Sequence, residues 1–356
     1  MELQTLVEVA LAALIKSALL AFVLLTAFAY MTLAERKVMA WLQVRIGPNR
    51  AGPFGFFQPV ADGIKLLFKE ELIPAGADRL MFVIAPVITV IPALVIMAVV
   101  PFGPPVNICL PTAFVPSWTW TCYTVPLAIA DLNVGVLYIL SVASIAVYGI
   151  VLAGWSSANK YAMLGGLRST AQMVSYEIAL GLSIIGPILL AGSMSLQDIT
   201  LSQTTLWNVV RQPVAALVFF IATLAETNRS PFDMPEAEQE LTAGYHTEYS
   251  GMKFSLFFMA EYIKMVAVSG IGVALFYGGY LGPFIDVVPN WMAGILGVLY
   301  FTAKTTFFLV FMIWIRGTLP RLRYDQLMRF GWKVMLPLAL ASVAVTAVAL
   351  VLFRSA

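Results

Sequence analysis

The chain has 356 residues, 60% of them hydrophobic and 11% charged, with a formal net charge of +2 and a mean hydropathy of +0.89. Soluble domains carry about a quarter of their residues as charged side chains, so this composition excludes an ordinary soluble domain and places the chain in a bilayer. The net charge itself says little about partners, and nothing in the sequence asks for nucleic acid.

A membrane span needs about 20 mostly apolar residues, and windows that meet or approach this fall at 9–31, 80–101, 132–154, 170–191, 213–228, 254–277, 291–315 and 334–353. The expectation is an all-α integral membrane protein of about eight transmembrane helices with interfacial amphipathic helices, forming one membrane domain over 1–356. The first window, in "MELQTLVEVALAALIKSALL", carries Glu2 and Glu8 where a secretory signal is basic, and it reads as a retained span. Sixteen of the 21 Lys and Arg fall in the connections after spans one, three, five and seven. By the positive-inside rule those connections are cytoplasmic and both termini face outward.

In chain order, the first long cytoplasmic segment is 32–79. Between Pro59 and Leu72 the apolar residues Val60, Ile64, Leu67, Phe68 and Leu72 recur at helical spacing opposite Asp62, Lys65, Lys69 and Glu70, which predicts a helix lying in the membrane interface. Such a helix is either an anchor on anionic lipid or one wall of a cavity for a small amphiphilic ligand. The outward loop 102–131 holds Cys109 and Cys122, the only two cysteines, and an oxidising exterior would allow them to pair. In "STAQMVSYEIALG", Glu177 lies nine residues past Arg168, about 13 Å deeper on a helix. A carboxylate at that depth should face a cavity or a partner, or hold a proton.

The fifth span has 13 largely apolar residues from Pro213 to Ala225 before Glu226. They cover about 20 Å of a roughly 30 Å core, which leaves Glu226 and Arg229 at membrane depth. The following cytoplasmic loop, 225–253, gathers Glu226, Asp233, Glu236, Glu238, Glu240 and Glu248 against Arg229 and Lys253. Pro231 and Pro235 break the helix, and Pro235 with two acids behind it resembles a new start that Gly244 stops. The loop is either solvated or part of a polar route. Farther on, Glu261 and Lys264 stand one turn apart and suit an i,i+3 pair. Lys304 has no local acid and needs a partner from another helix or works as a switching base. Carboxylates at close quarters cannot all ionise, so Glu177, Glu226, Glu236, Glu238, Glu240, Glu248 and Glu261 could together store and relay protons.

The single histidine, His246, reads as a loop residue and not a ligand. No iron–sulfur spacing, phosphate-binding glycine loop or nucleophile elbow occurs, so no metal or cofactor of the chain's own is expected. Electrons and nucleotides must be handled by other chains. No internal repeat is evident, which weakens a carrier reading.

The segments "AERK", "RIGPNR", "GFFQPVADGIKLLFKE", "AGWSSANKYAMLGGLRSTAQMVSYE", "LAETNRSPFDMPEAEQELTAGYHTEYSGMKF", "WIRGTLPRLRYDQLM" and "GWKVMLPL", in this order, resemble the H-subunit family of bacterial NADH:quinone oxidoreductase, respiratory complex I. The likeness covers nearly the whole chain. The outward loop around 102–130 is longer than is usual in the family.

The resemblance implies a translocase subunit in the bacterial inner membrane. Arg36, Arg45, Asp62, Lys65, Arg229 and Arg316 would line or support the passage of a quinone substrate such as ubiquinone. Glu177, Glu226, Glu236, Glu238, Glu240, Glu248 and Glu261 would belong to the proton or coupling route. FMN and iron–sulfur clusters would sit in peripheral-arm subunits docked on the cytoplasmic side, with small and antiporter-like membrane subunits beside the chain. A heel subunit of a membrane-bound hydrogenase or formate hydrogenlyase shares this pattern, and a free-standing ion carrier is the reading from a different class.

Overall fold

The computed structural model describes residues 3–111, 120–233, 244–285 and 287–354, and the side chains within these except 3–12, 108–111, 120–124 and 353–354. Helix α1 runs Leu3–Leu42. A tight turn at Pro53–Gly55 leads into α2, Gln58–Phe68. Then come α3 (Arg79–Ile96), α4 (Gly135–Ser156), α5 (Lys160–Ala191) and the short α6 (Leu196–Leu201) and α7 (Asn208–Arg211). After α8 (Pro213–Glu226), the chain continues through α9 (Gly251–Phe276), α10 (Asn290–Thr318) and α11 (Tyr324–Phe330). One π turn, Gly331–Met335, joins α11 to α12, Leu336–Arg354.

Seven of the described helical segments are long and apolar enough to cross a membrane. The eighth expected span is α8, only 14 residues long. It falls short because Pro213 fixes its first turn, and at its other end Asn228 takes a left-handed conformation, φ 50°, which asparagine tolerates better than most residues. At about 1.5 Å per residue it covers roughly 21 Å.

Local chemistry sets the other boundaries. Asp78 caps α3 by accepting from the amides of Leu80 and Met81, and Asn159 caps α5 by accepting from Tyr161. Small residues bring the helices together: a Cβ on Gly149 of α4 would fall 2.9 Å from the Ala85 carbonyl of α3, and one on Gly154 would fall 2.8 Å from the Ala162 carbonyl of α5. Helix α9 is the centre of the bundle, with every residue from Tyr262 to Phe276 buried. By contrast α12 exposes Val345, Val348 and Val351, the outward face of a lipid-facing helix.

The interfacial helix expected at 59–72 is α2. None of its residues is buried, and Val60, Ile64, Leu67 and Phe68 are exposed. It stops at Phe68 because Lys69 turns to extended backbone, so Leu72 lies outside it. The all-α expectation needs one correction. The loop 102–131 contains an antiparallel hairpin, β1 (Val106–Pro111) and β2 (Trp120–Val125), in a register that sets Cys109 opposite Cys122. Valine, isoleucine, threonine, tyrosine and tryptophan in the two strands favour extended pairing over helix.

Candidate functional site: a buried ion-pair network beside a polar cavity

The end of α8 delivers two ionised side chains into the bundle. Glu226 and Arg229 are each only 4% exposed, and the turn between them is stapled by Gln172 of α5. The Gln172 amide donates to the carbonyls of Ala225 at 2.8 Å and Phe232 at 2.6 Å, the two ends of this segment. Fixed in this way, the turn faces α9. Glu226 pairs with Lys264 at 3.0 Å, and the Arg229 Nε lies 2.8 Å from Glu261.

The Arg229 guanidinium reaches in a second direction, to Glu35 near the end of α1, at 3.0 Å. It also lies over the Tyr262 ring, 4.3 Å from its centroid, while the Tyr262 hydroxyl donates to Glu35 at 2.6 Å. Arg316 from α10 completes the group by pairing with the same Glu35 carboxylate. Burial works against charge on Arg229, and the carboxylates of Glu261 and Glu35 compensate it from two sides. The network sets three carboxylates (Glu35, Glu226, Glu261) against three cations (Arg229, Arg316, Lys264). Buried ions need such compensation, because each costs several kcal/mol to desolvate. Glu177 lies beyond this balanced set, bonded by the Ser144 hydroxyl and within electrostatic reach of Glu226 and Lys264.

Glu35 and Arg316 also form the wall of a cavity of about 850 Å³. Arg36, Arg45, Arg321 and Asp233 add charge to that wall, and Met39, Phe254, Phe258 and Tyr262 supply apolar and aromatic surface. Arg36 is steadied by Asp62 of α2 at 2.8 Å, with Lys65 3.7 Å from the same carboxylate. The cavity is therefore amphiphilic, its lining part charged and part apolar and aromatic.

Of the residues expected to form a chamber, Arg36, Arg45 and Arg316 line this cavity. Asp62 and Lys65 stand behind Arg36, and Arg229 joins the cavity to the interior through Glu35. Of the expected carboxylate route, Glu177, Glu226 and Glu261 come together. Glu248 sits instead at the turn between α4 and α5, accepting from Asn159 at 2.7 Å. Glu236, Glu238 and Glu240, and the helix expected to start at Pro235, lie outside the described residues. The backbone of Cys109 and Cys122 is described and their side chains are not.

One expectation is corrected. Glu261 and Lys264 do not pair with each other along α9, because the turn after α8 offers each a partner from outside the helix, Arg229 and Glu226. Lys304 has no carboxylate partner among the described residues and takes its acceptors from the segment that follows α9. Its ammonium donates to the carbonyls of Tyr277 (2.8 Å), Gly279 (3.0 Å) and Leu281 (2.6 Å), closing the end of α9. His246 lies in the turn Gly244–His246 of the connection after α8, as expected, and is buried on the cavity wall against Tyr245 and Phe254. Burial pushes its imidazole down from 6.5 to about 4, so it is neutral at pH 7, and its Nδ1 has no hydrogen-bond partner.

Glu35, Tyr262, Asp233, Arg321 and His246 are absent from the set expected from sequence. For Glu35 the available signal is an acid in the last turns of a span, in "LAERK", where its neighbours are basic. Among the described residues no group of three His, Cys, Asp or Glu could hold a metal ion.

Comparison with known proteins places this architecture. The family model described as NADH dehydrogenase matches residues 15–347. The first of the H subunits of NADH-quinone oxidoreductase from Geobacter metallireducens is 51% identical over 333 residues, 94% of each chain. The H subunit of Thermomicrobium roseum is 50% identical over 347 residues, covering 94% of this chain and 95% of its own. That of Protochlamydia amoebophila is 50% identical over 322 residues, 90% and 92% of the two chains. With half its residues shared along nearly its full length, the chain belongs to the H-subunit family of NADH-quinone oxidoreductase, the membrane-bound respiratory complex I.

Proposed function

We propose that the chain walls part of the quinone chamber of a proton-translocating NADH-quinone oxidoreductase and carries the charge route that couples quinone reduction to proton movement. The observation that carries this reading is the double membership of Glu35, which lines the cavity and belongs to the buried network. A quinone has an apolar ring, an apolar tail and two carbonyl acceptors. A wall of Phe254, Phe258 and Met39 facing Arg36, Arg45 and Arg316 suits all of these. Reduction places negative charge in the cavity. At about 4 Å and an effective dielectric constant of 20, one charge acts on Glu35 and Arg316 with roughly 4 kcal/mol, enough to alter which pairs the network makes. From Glu35 the change passes to Arg229 and Glu261, and one turn along α9 to Lys264, Glu226 and Glu177.

The chain brings no redox centre to this reaction. Electrons reach the quinone from flavin and iron–sulfur clusters in partner subunits docked on the side that bears α2, and protons leave through neighbouring membrane subunits. The concentration of Lys and Arg on the α2 side supports a cytoplasmic placement of the cavity in a bacterial inner membrane, with both termini outward. The acids of 225–253 then serve as the coupling element, with Glu226 its innermost member.

The test is Glu226→Gln in the intact complex. Quinone-linked turnover is expected to fall while the flavin- and iron–sulfur-bearing subunits still copurify. Unchanged turnover and pumping would remove Glu226 from the route, and copurification with hydrogenase subunits, or of the chain alone, would overturn the assembly.

A further inference from the structure

At the end of the bundle opposite the cavity, α1 and α10 and the return from the hairpin enclose a second groove, of about 550 Å³. Along α1 its wall is Val23, Ala27 and Met31, and along α10 it is Phe301 and Leu309. Thr302 and Thr305 also line it, but their hydroxyls donate back to the carbonyls of Val298 (2.7 Å) and Phe301 (2.9 Å). These two threonines spend their donors within the helix, which leaves Thr306 as the one lining threonine whose hydroxyl is uncommitted among the described residues. Such a wall, mostly apolar, offers an alkyl chain continuous contact.

One end of the groove differs. The Lys16 ammonium sits there, half-buried, held by the carbonyls of Pro126 at 3.0 Å and Ala128 at 3.5 Å. An ammonium has three donors, and among the described residues no carboxylate pairs with this one. Its height is informative. Lys16 and Glu35 are 19 residues apart on one helix, about 28 Å, which nearly equals the roughly 30 Å hydrocarbon thickness of a bilayer. With Glu35 and Arg36 at one interface, Lys16 stands at the headgroup level of the other leaflet. From Lys16 to Met31 the groove then descends about 22 Å, the full depth of one leaflet and somewhat more.

We propose that this groove binds an anionic phospholipid, with its phosphate on Lys16 and one acyl chain laid along α1 toward Met31. A cation at headgroup height above a predominantly apolar channel matches that ligand at both ends. The inference is independent of the chamber reading, because the two cavities share no lining residue.

The test uses the purified complex and phosphatidylglycerol or phosphatidylcholine carrying a photoactivatable group midway along one acyl chain. Phosphatidylglycerol is expected to label the α1 and α10 peptides that face the groove about fivefold more than phosphatidylcholine does, the preference one lysine gives at an interface. Lys16→Gln is expected to equalise the two lipids. Thr302→Trp, which fills the channel at an exposed position, is expected to abolish labelling by both while the complex still assembles. Equal labelling by both lipids in the unaltered complex, or labelling indifferent to Thr302→Trp, overturns the proposal. So does a photoreactive residue at position 23 that crosslinks to another subunit, because a partner helix then fills the groove.

Discussion

Replacing Glu35 by glutamine removes one charge from a balanced set and asks whether the cavity and the network act as one. Glu35 accepts from Arg229, Arg316 and Tyr262, so Glu35→Gln leaves two cations facing a neutral amide. Taking one partner from a buried pair costs about 3–5 kcal/mol. Two features reduce this. Arg229 keeps Glu261 at 2.8 Å, and the Arg316 side chain is 29% exposed toward the cavity, where water or substrate screens it. Glutamine also preserves an acceptor for Tyr262. A loss of about 2–3 kcal/mol remains, which corresponds to roughly 30- to 150-fold in quinone-linked kcat/KM if the arginines position the substrate in the transition state. The assay is NADH oxidation by membranes with a short-chain quinone, divided by the rate with a hydrophilic artificial acceptor that bypasses the quinone. The division removes differences in assembly. A normalised rate within twofold of the unaltered complex would refute the coupling of wall and network.

Three further outcomes follow from individual side chains. Gln172→Leu removes the donor of the buried Phe232 carbonyl, at about 1–3 kcal/mol, whereas the Ala225 carbonyl keeps the amide of Asn228. The thermal midpoint of the complex should drop, and an unchanged midpoint would show that the staple carries no load. For His246 the folded imidazole titrates at about 4 and the unfolded one near 6.5, so the unfolded chain binds more protons between these values. Stability present above pH 6.5 is therefore lost as pH falls toward 4, by about 3 kcal/mol in full. The fall in thermal midpoint between pH 7.5 and pH 5 should be shallower in His246→Gln, and equal falls would refute the assignment. The hairpin register sets Cys109 opposite Cys122, and directly opposed residues have Cα atoms about 4.5–5.5 Å apart, within disulfide range. Peptide mass spectrometry of material kept from reductant should find the two linked, and free thiols would refute the bond.

Length and hydropathy sufficed for the seven long helices, because a bilayer demands long apolar runs whatever the packing. The helix α2 was legible for a related reason: its apolar residues Val60, Ile64 and Leu67 recur at helical spacing. Burial could also be read where a span was short, as Glu226 and Arg229 illustrate, each 4% exposed. Pairing could not. The i,i+3 spacing of Glu261 and Lys264 describes one helix, whereas their partners come from a turn whose path depends on Asn228 and on the staple that Gln172 provides from α5. Lys304 misleads in the same manner, since its acceptors are backbone carbonyls and carry no sequence signature. Glu35 was obscured by its neighbours: in "AERK" an acid beside two bases reads as an interfacial charge run, and only the approach of α10 and the α8 turn gives it two arginines.

Why the interior should hold ions at all is a physical question, since apolar residues of similar volume often stabilise a protein as well as a buried ion pair does. The arrangement offers one thing apolar packing cannot. Arg229 has an acid on each side, Glu35 and Glu261, and Glu261 lies one helical turn from Lys264, which holds Glu226. Arg229 can strengthen one contact while weakening the other without returning a charge to water, so the cost of changing its state is a difference between two pairings and not a desolvation. On the proposed reading, charge that appears in the cavity first meets Glu35 and Arg316, the members that touch it. Arg229 then shifts its share between two carboxylates, and the buried Glu226 and half-buried Glu177 sense the result through Lys264. Coupling of this kind needs a bistable set of contacts more than a large movement, and a network of three acids and three bases, bonded at several shared members, supplies one.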